Sequence, residues 1–325
     1  MNLTIIIPSF KRLKEFETLL RYYDRFDFKG QILIGEGSTK STFLKKKKIV
    51  KKYKNLDVTY FYLKGRVFET LSAAKKHVKY DYVILTGDDD YLYIRNLGKL
   101  INYLKKNKSY AGVFGKTISI EVDKKNILGF SNYRNFSNHE ETSIKRLEKH
   151  LEKHVVTLFA IQRKNFFLKM LEYCPKKKDR NKCPDRTISE EYLPSFILPI
   201  FGKFGILDCF YLYRVVGHAR LQPTKYFNTR KSIKSIDYLE KQLIKVLKNN
   251  DNNLVKELLR NFFINKDSTK KRNDKKNNSL INKSKFYVKK FIKKIFPKLV
   301  EFYLLRKSYQ KKYFQINYFK KNILL

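Results

Sequence analysis

Residues Tyr82-Val83-Ile84-Leu85 form a short apolar run that passes through Thr86-Gly87 into three consecutive carboxylates, Asp88, Asp89 and Asp90. An apolar run without alternation reads as a strand covered on both faces, as in a parallel sheet. Gly87 lets the backbone turn, which places the aspartates at the carboxyl end of that strand. Open α/β sheets bind their ligands at that end. Three adjacent negative charges repel one another, so the cluster needs a cation nearby. In extended geometry Asp88 and Asp90 face the same side and can share one metal. Oxygen ligation favours a hard divalent ion, Mg²⁺ or Mn²⁺, which can also bridge a diphosphate. A solvated acidic turn is the plain alternative, because aspartate is common in turns.

The preceding residues repeat the pattern. Met1 to Phe10 carries a second apolar run, Ile5-Ile6-Ile7, ended by Pro8. A helical pattern follows, with Leu13, Phe16, Leu19, Leu20 and Tyr23 on one face. Gln31-Ile32-Leu33-Ile34 is a further strand and runs into the polar loop Gly35-Glu36-Gly37-Ser38-Thr39. Asp57 to Leu63 reads as a strand, and Val67 to Val78 as a helix with Leu71, Ala74 and Val78 on one face. Strands alternating with helices predict a parallel sheet with helices on both faces. Further along, Ser109 to Val122, Val155 to Ile161 and Phe204 to Val216 read as strands. Lys124 to Glu152 reads as irregular and then helical, and Phe166 to Tyr173 as a short amphipathic helix.

Three strand ends taken in order resemble family 2 glycosyltransferases of the GT-A fold. They are Ile5-Ile6-Ile7-Pro8-Ser9-Phe10-Lys11-Arg12, Ile34-Gly35-Glu36-Gly37-Ser38-Thr39 and Val83-Ile84-Leu85-Thr86-Gly87-Asp88-Asp89-Asp90. The likeness covers about residues 3–100. Lys11 stands where the family usually has asparagine, and Gly35-Glu36 where it usually has two aspartates. The resemblance implies a Rossmann-like, mainly parallel sheet flanked by helices. It also implies sugar transfer from a nucleoside-diphosphate-sugar donor to a glycan or lipid-linked acceptor, with inversion, in bacterial cell-surface polysaccharide synthesis. It puts Pro8, Ser9, Phe10, Arg12 and Glu36 at the donor, and Asp88, Asp89 and Asp90 at ribose and metal, with Mn²⁺ or Mg²⁺ as cofactor.

Such a transfer needs a base for the acceptor hydroxyl. Thr187-Ile188-Ser189-Glu190-Glu191-Tyr192 offers Glu190 and Glu191, with Asp185 a further candidate. Ser189 there could cap a helix whose first turn holds both glutamates, a purely structural use of their charge. Arg214 stands near the end of the last apolar strand and His218 follows it, Arg214 as a partner for the diphosphate and His218 as a further metal ligand.

A chain of 325 residues with 42% hydrophobic residues supports one large α/β domain, read here as 1–240, and an extension over 241–325. Cys174, Cys183 and Cys209 are too few for a zinc site or disulfide framework, which fits a reducing cytoplasm. Neither a signal peptide nor a run of about 18 to 20 apolar residues is found. The net charge of +42 suits anionic partners, yet no nucleic-acid module is recognisable and the aspartates would repel phosphates without a metal. A nucleotidyltransferase on a similar sheet would carry a glycine-rich loop after its first strand, which Pro8 to Arg12 lacks. A basic nucleic-acid- or membrane-binding protein with a non-catalytic domain of this type is the remaining alternative. From Ile264 to Leu325, 19 Lys or Arg stand against 3 Asp or Glu. Residues 266–284 read as a polar flexible linker. Lys285 to Val300 then reads as a basic amphipathic helix suited to an anionic membrane surface, the inner face of the plasma membrane.

Overall fold

The computed structural model describes residues 1–63, 65, 67–123, 126–216, 229–248, 252–278, 318 and 320–324. The first half alternates as the apolar runs require. β1 (Thr4–Ser9), α1 (Leu13–Arg25), β2 (Gln31–Glu36), α2 (Lys40–Val50), β3 (Asp57–Tyr62), α3 (Val67–Ala74) and β4 (Tyr82–Leu85) follow one another. β1 pairs in parallel with both β2 and β4, and β2 with β3. Ile5, Ile6, Ile7, Ile32, Leu33, Ile34, Val83 and Ile84 are all fully buried. This is why these strands show no alternation: helices cover both faces of the sheet.

The second half adds β5 (Asp90–Leu92), α4 (Ile94–Lys106), β6 (Tyr110–Asp123), β7 (Asn126–Tyr133), α5 (Ser143–Glu152), β8 (Ile161–Arg163), α6 (Lys164–Tyr173), α7 (Leu193–Phe201) and β9 (Lys203–Val216). The nine strands form one mixed sheet of order β3-β2-β1-β4-β8-β6-β9-β5, with β7 on β6. Three expectations change here. The strand expected over Val155 to Ile161 is a short turn of helix at Thr157–Phe159 leading into β8. The region read as irregular from Lys124 holds β7, which closes a hairpin on β6. Asp90 belongs to a strand, β5, antiparallel to β9.

α8 (Arg230–Leu247) and α9 (Asn252–Asn278) complete the description. The boundary expected at 240 falls within α8. Leu239, Leu243, Val255, Leu259 and Phe262 are buried, so these helices join the core. α9 is helical as far as Asn278, through the first part of the expected linker. Tyr318 packs against Phe26 and Tyr93, at ring-centroid distances of 5.4 and 5.0 Å. The basic helix expected over Lys285 to Val300 lies outside the described residues. Among the described residues no helix is long and apolar enough to cross a membrane.

His150 on α5 packs against Phe196, and His154 just beyond the helix packs against Tyr192 and against Phe262 of α9. The Nε2 atoms of both histidines are buried without a hydrogen-bond partner. Burial holds His150 down to about 3 and, helped by the charges of His150 and Lys266, His154 down to about 2. In the unfolded chain both would titrate near 6.5. Below that pH the unfolded state takes up protons that the folded state refuses, so stability falls as pH falls. At pH 5.5 the pair should cost about 3 kcal/mol relative to pH 7.5. Urea midpoints at the two pH values test this, and a double His→Phe variant should lose most of the difference. Equal midpoints for the native chain would contradict it.

Candidate active site

The turn after β1 is left-handed at two successive residues, Lys11 (φ 61°) and Arg12 (φ 39°). Neither is glycine, and each such residue costs about 1 kcal/mol or more. The strain brings the Arg12 guanidinium back over the aspartates. Arg12 Nη1 lies 3.2 Å from Asp88 Oδ1 and 2.6 Å from Asp89 Oδ2. Asparagine, usual at this position in the family the sequence resembles, enters this conformation more readily than lysine. Lys11→Asn should therefore raise stability by about 0.5 to 1 kcal/mol, measurable as a shift in urea midpoint; an unchanged or lower midpoint would show that the turn is not strained.

The three aspartates separate. Asp88 is buried and faces β1, accepting from Ser9 Oγ at 2.8 Å and Phe10 N at 3.3 Å. Burial and the Asp89 charge push its carboxyl up, against the pull of Ser9, Arg12 and Lys46. Asp90 stands opposite Arg214 in the β5–β9 register. It accepts from Val215 N at 3.3 Å and Gly87 N at 3.4 Å, with Arg214 Nε 3.9 Å away. The expected Asp88 and Asp90 pair on one side is therefore not what the turn produces. Asp89 and Asp90 are instead the two that line a common cleft. A Cβ added at Gly87 would lie 2.8 Å from Asp89 Oδ1 and 3.2 Å from Asp90 Oδ2. Glycine leaves that space open.

Asp89 and Asp90, but not Asp88, line this cleft of about 580 Å³. Pro8, Arg12, Asp89 and Asp90 share its lining with Arg186, Glu190, Glu191 and Arg214. The Arg214 guanidinium stacks 4.2 Å from the Phe159 ring centre and 4.7 Å from that of Tyr133. Its Nε is buried without a hydrogen-bond partner. Such a donor is suited to an anionic ligand.

Residues Ile188–Tyr192 form a wide, π-type helical turn. Such bulges recur at functional sites, and here both consecutive glutamates reach the cleft. They differ in surroundings. Glu190 is gripped by Arg186, with Nε–Oε1 3.2 Å and Nη2–Oε2 3.0 Å. Glu191 is half-buried, which pushes its carboxyl up, while Arg214 and Lys266 pull it back. Asp185, the third candidate, is turned away from the cleft. Its Oδ1 accepts from Thr187 N and Ile188 N at 2.9 and 3.2 Å, and its Oδ2 accepts from Ser232 Oγ at 2.9 Å. Asp185, rather than Ser189, therefore caps this helix and docks it to α8.

Other expected donor residues are placed differently. Phe10 is 56% exposed, and its backbone N–H, rather than its ring, serves the site. Glu36 is fully buried and ion-paired to Lys46 at 2.7 Å, so it does not line the cleft. A Cβ at Gly35 would lie 2.3 Å from Thr70 Cγ2. α3 thus packs where the family's first aspartate would project. His218 lies outside the described residues. Lys46 escaped sequence reading because it sits inside Lys45-Lys46-Lys47-Lys48, although its phase, three residues before buried Ile49, marks the inward face of α2.

Among the described residues no three acidic, histidine or cysteine side chains gather into a cage for a metal. Two carboxylates suffice for a hard divalent ion that also takes ligand phosphates and water. Asp89 and Asp90, which line the cleft, fit that requirement once Arg12 gives way at Asp89; Asp88 is not among the lining residues and faces Ser9 and Phe10 instead.

A half-parallel α/β sheet with acids and arginines gathered at its strand ends defines a GT-A fold. The chain belongs to glycosyl transferase family 2, whose model matches residues 4–171. Among solved structures the chain is similar to the 1–349 fragment of S. aureus TarS. The identity is 15% and the TM-score 0.55, over 86% of this chain and 75% of that one. The same fragment in complex with UDP-GlcNAc gives 14% and 0.54, over 81% and 71%. Against a longer TarS chain the values are 15% and 0.53, over 81% of this chain but only 43% of that one. No curated protein matches.

Proposed function

We propose that the chain transfers a sugar from a nucleoside-diphosphate-sugar donor to a hydroxyl of a glycan or lipid-linked acceptor, with inversion at the anomeric carbon. The observation that carries this reading is the meeting of Asp89 and Asp90, three arginines and two half-buried glutamates in one cleft at the strand ends. The donor diphosphate would lie by Arg214, whose buried Nε makes no hydrogen bond and has the Asp90 carboxylate 3.9 Å away. A bound Mn²⁺ or Mg²⁺ on Asp89 and Asp90 would neutralise charge on the leaving diphosphate. Glu191 would take the proton of the acceptor hydroxyl as that oxygen bonds to the anomeric carbon and the sugar–phosphate bond breaks. A carboxylate whose proton affinity is raised by loss of solvent suits that step. Glu190, pinned by Arg186, would shape the acceptor side. Tyr133 also walls a second cleft of about 610 Å³ with Asn96, Lys99, Lys116, Arg134 and Phe210, offering room for an extended acceptor.

TarS has been crystallised with UDP-GlcNAc and with UDP, so uridine donors are the first to try. A role in bacterial cell-surface polysaccharide synthesis, on the cytoplasmic side of an anionic membrane held by the basic tail, completes the proposal. A donor panel read by release of nucleoside diphosphate, with and without Mn²⁺, tests it. Release from one donor class is expected, and release from none would reject it.

A further inference from the structure

Lys46 is one of four consecutive lysines on α2, and the other three are exposed. Its side chain is fully buried. The ammonium donates to Glu36 Oε2 at 2.7 Å and to Ser9 Oγ at 2.6 Å, and it stands 4.7 Å from the Phe16 ring centre. Ser9 Oγ in turn donates to Asp88 Oδ2 at 2.8 Å. Asp88 is held on its other oxygen by Arg12, which reaches Asp89 in the cleft. Glu36 is itself fixed by the backbone N–H of Ser38 at 2.9 Å and by the Ser38 hydroxyl. An unbroken chain of polar contacts therefore runs from the core face of α2 to the wall of the cleft.

A buried ion pair of this kind is seldom worth more to stability than apolar residues of the same volume. Its effect on direction is another matter. Lysine donates three hydrogen bonds and accepts none. Facing Lys46, the Ser9 oxygen must present a lone pair, so its proton is turned to Asp88. A serine without that neighbour has three staggered positions to choose from. We propose that Lys46 is a positioning residue of the donor site, orienting the Ser9 hydroxyl so that Asp88, Arg12 and Asp89 are held ready for the donor. This rests on the sugar-transfer reading of the cleft.

The test uses the full chain, with UDP and GDP in the presence of Mn²⁺ as calorimetric probes and with donor kinetics. Lys46→Met combined with Glu36→Gln removes the ammonium without leaving a carboxylate unpaired. It should weaken nucleotide binding about tenfold, with donor KM rising more than kcat falls. Ser9→Ala should give a similar loss, and adding it to the first pair should bring little more, because both act through one hydroxyl. Ser9→Thr, which keeps the hydroxyl, should recover most of the loss. A lysine serving stability alone would lower the melting temperature and leave binding uncoupled from Ser9. Full additivity, or unchanged binding in a folded Lys46 variant, overturns the proposal. So does normal binding by Ser9→Ala, which decides the matter even if the Lys46 variant fails to fold. Failure of the native chain to bind either nucleotide would instead overturn the sugar-transfer reading itself.

Discussion

Glu191→Gln should lower sugar transfer by about 10² to 10⁴ while leaving nucleoside-diphosphate binding nearly unchanged. The substitution keeps size and polarity and removes only the capacity to take a proton. The choice of Glu191 over its neighbour comes from their surroundings. Glu190 is engaged on both oxygens by the Arg186 fork, and a carboxylate so bound is a poor proton acceptor. Glu191 is half-buried near Arg214, and loss of solvent raises its carboxyl above the ordinary glutamate value of 4.5. Raising the value means that the basic form appears only at higher pH. Transfer should therefore climb with pH along a limb above 4.5, and Glu191→Gln should remove that limb. Loss of transfer in Glu190→Gln alone, with Glu191→Gln active, would reverse the assignment.

The second large effect is expected at Asp90. Asp90→Asn should cost about 10²-fold or more in turnover and abolish stimulation by Mn²⁺. Asn keeps the shape but loses the charge, and its amide nitrogen cannot accept from Val215 N or Gly87 N as either Asp90 oxygen does. Because β5 is a short strand at the edge of the sheet order, the fold should survive, and an unfolding curve checks that. Asp88→Asn should act differently, weakening donor binding through Ser9 and Arg12. Equal Mn²⁺ stimulation in Asp90→Asn and the native chain would remove Asp90 from metal binding.

What the sequence reveals of this site follows the range of the interactions involved. Ile5-Ile6-Ile7 and Val83-Ile84-Leu85 announce buried parallel strands because burial on both faces erases alternation. Pro8-Ser9, Gly35-Glu36 and the aspartates announce strand ends because polarity begins where the sheet stops. Which way each carboxylate points is decided by partners far along the chain. Asp88 answers to Arg12, 76 residues away, and Asp90 to Val215, 125 residues away. Spacing alone assigns Asp88 and Asp90 to one side; the turn at Gly87 breaks the extended geometry on which that rule depends. Asp185 reads as a candidate base until two backbone N–H groups and Ser232 claim its oxygens. Lys46 is hidden by composition, since a lysine-rich chain makes an inward lysine look like its exposed neighbours.

Release of nucleoside diphosphate from UDP- and GDP-sugars is the most direct measurement, made in parallel on the native chain, Glu191→Gln and Asp90→Asn, with Mn²⁺ and with chelator. The expected result is acceptor-dependent release by the native chain from one donor class, lost on chelation and reduced at least about 10²-fold in both variants. Release that persists at the native rate in both folded variants would contradict the placement of the chemistry in this cleft.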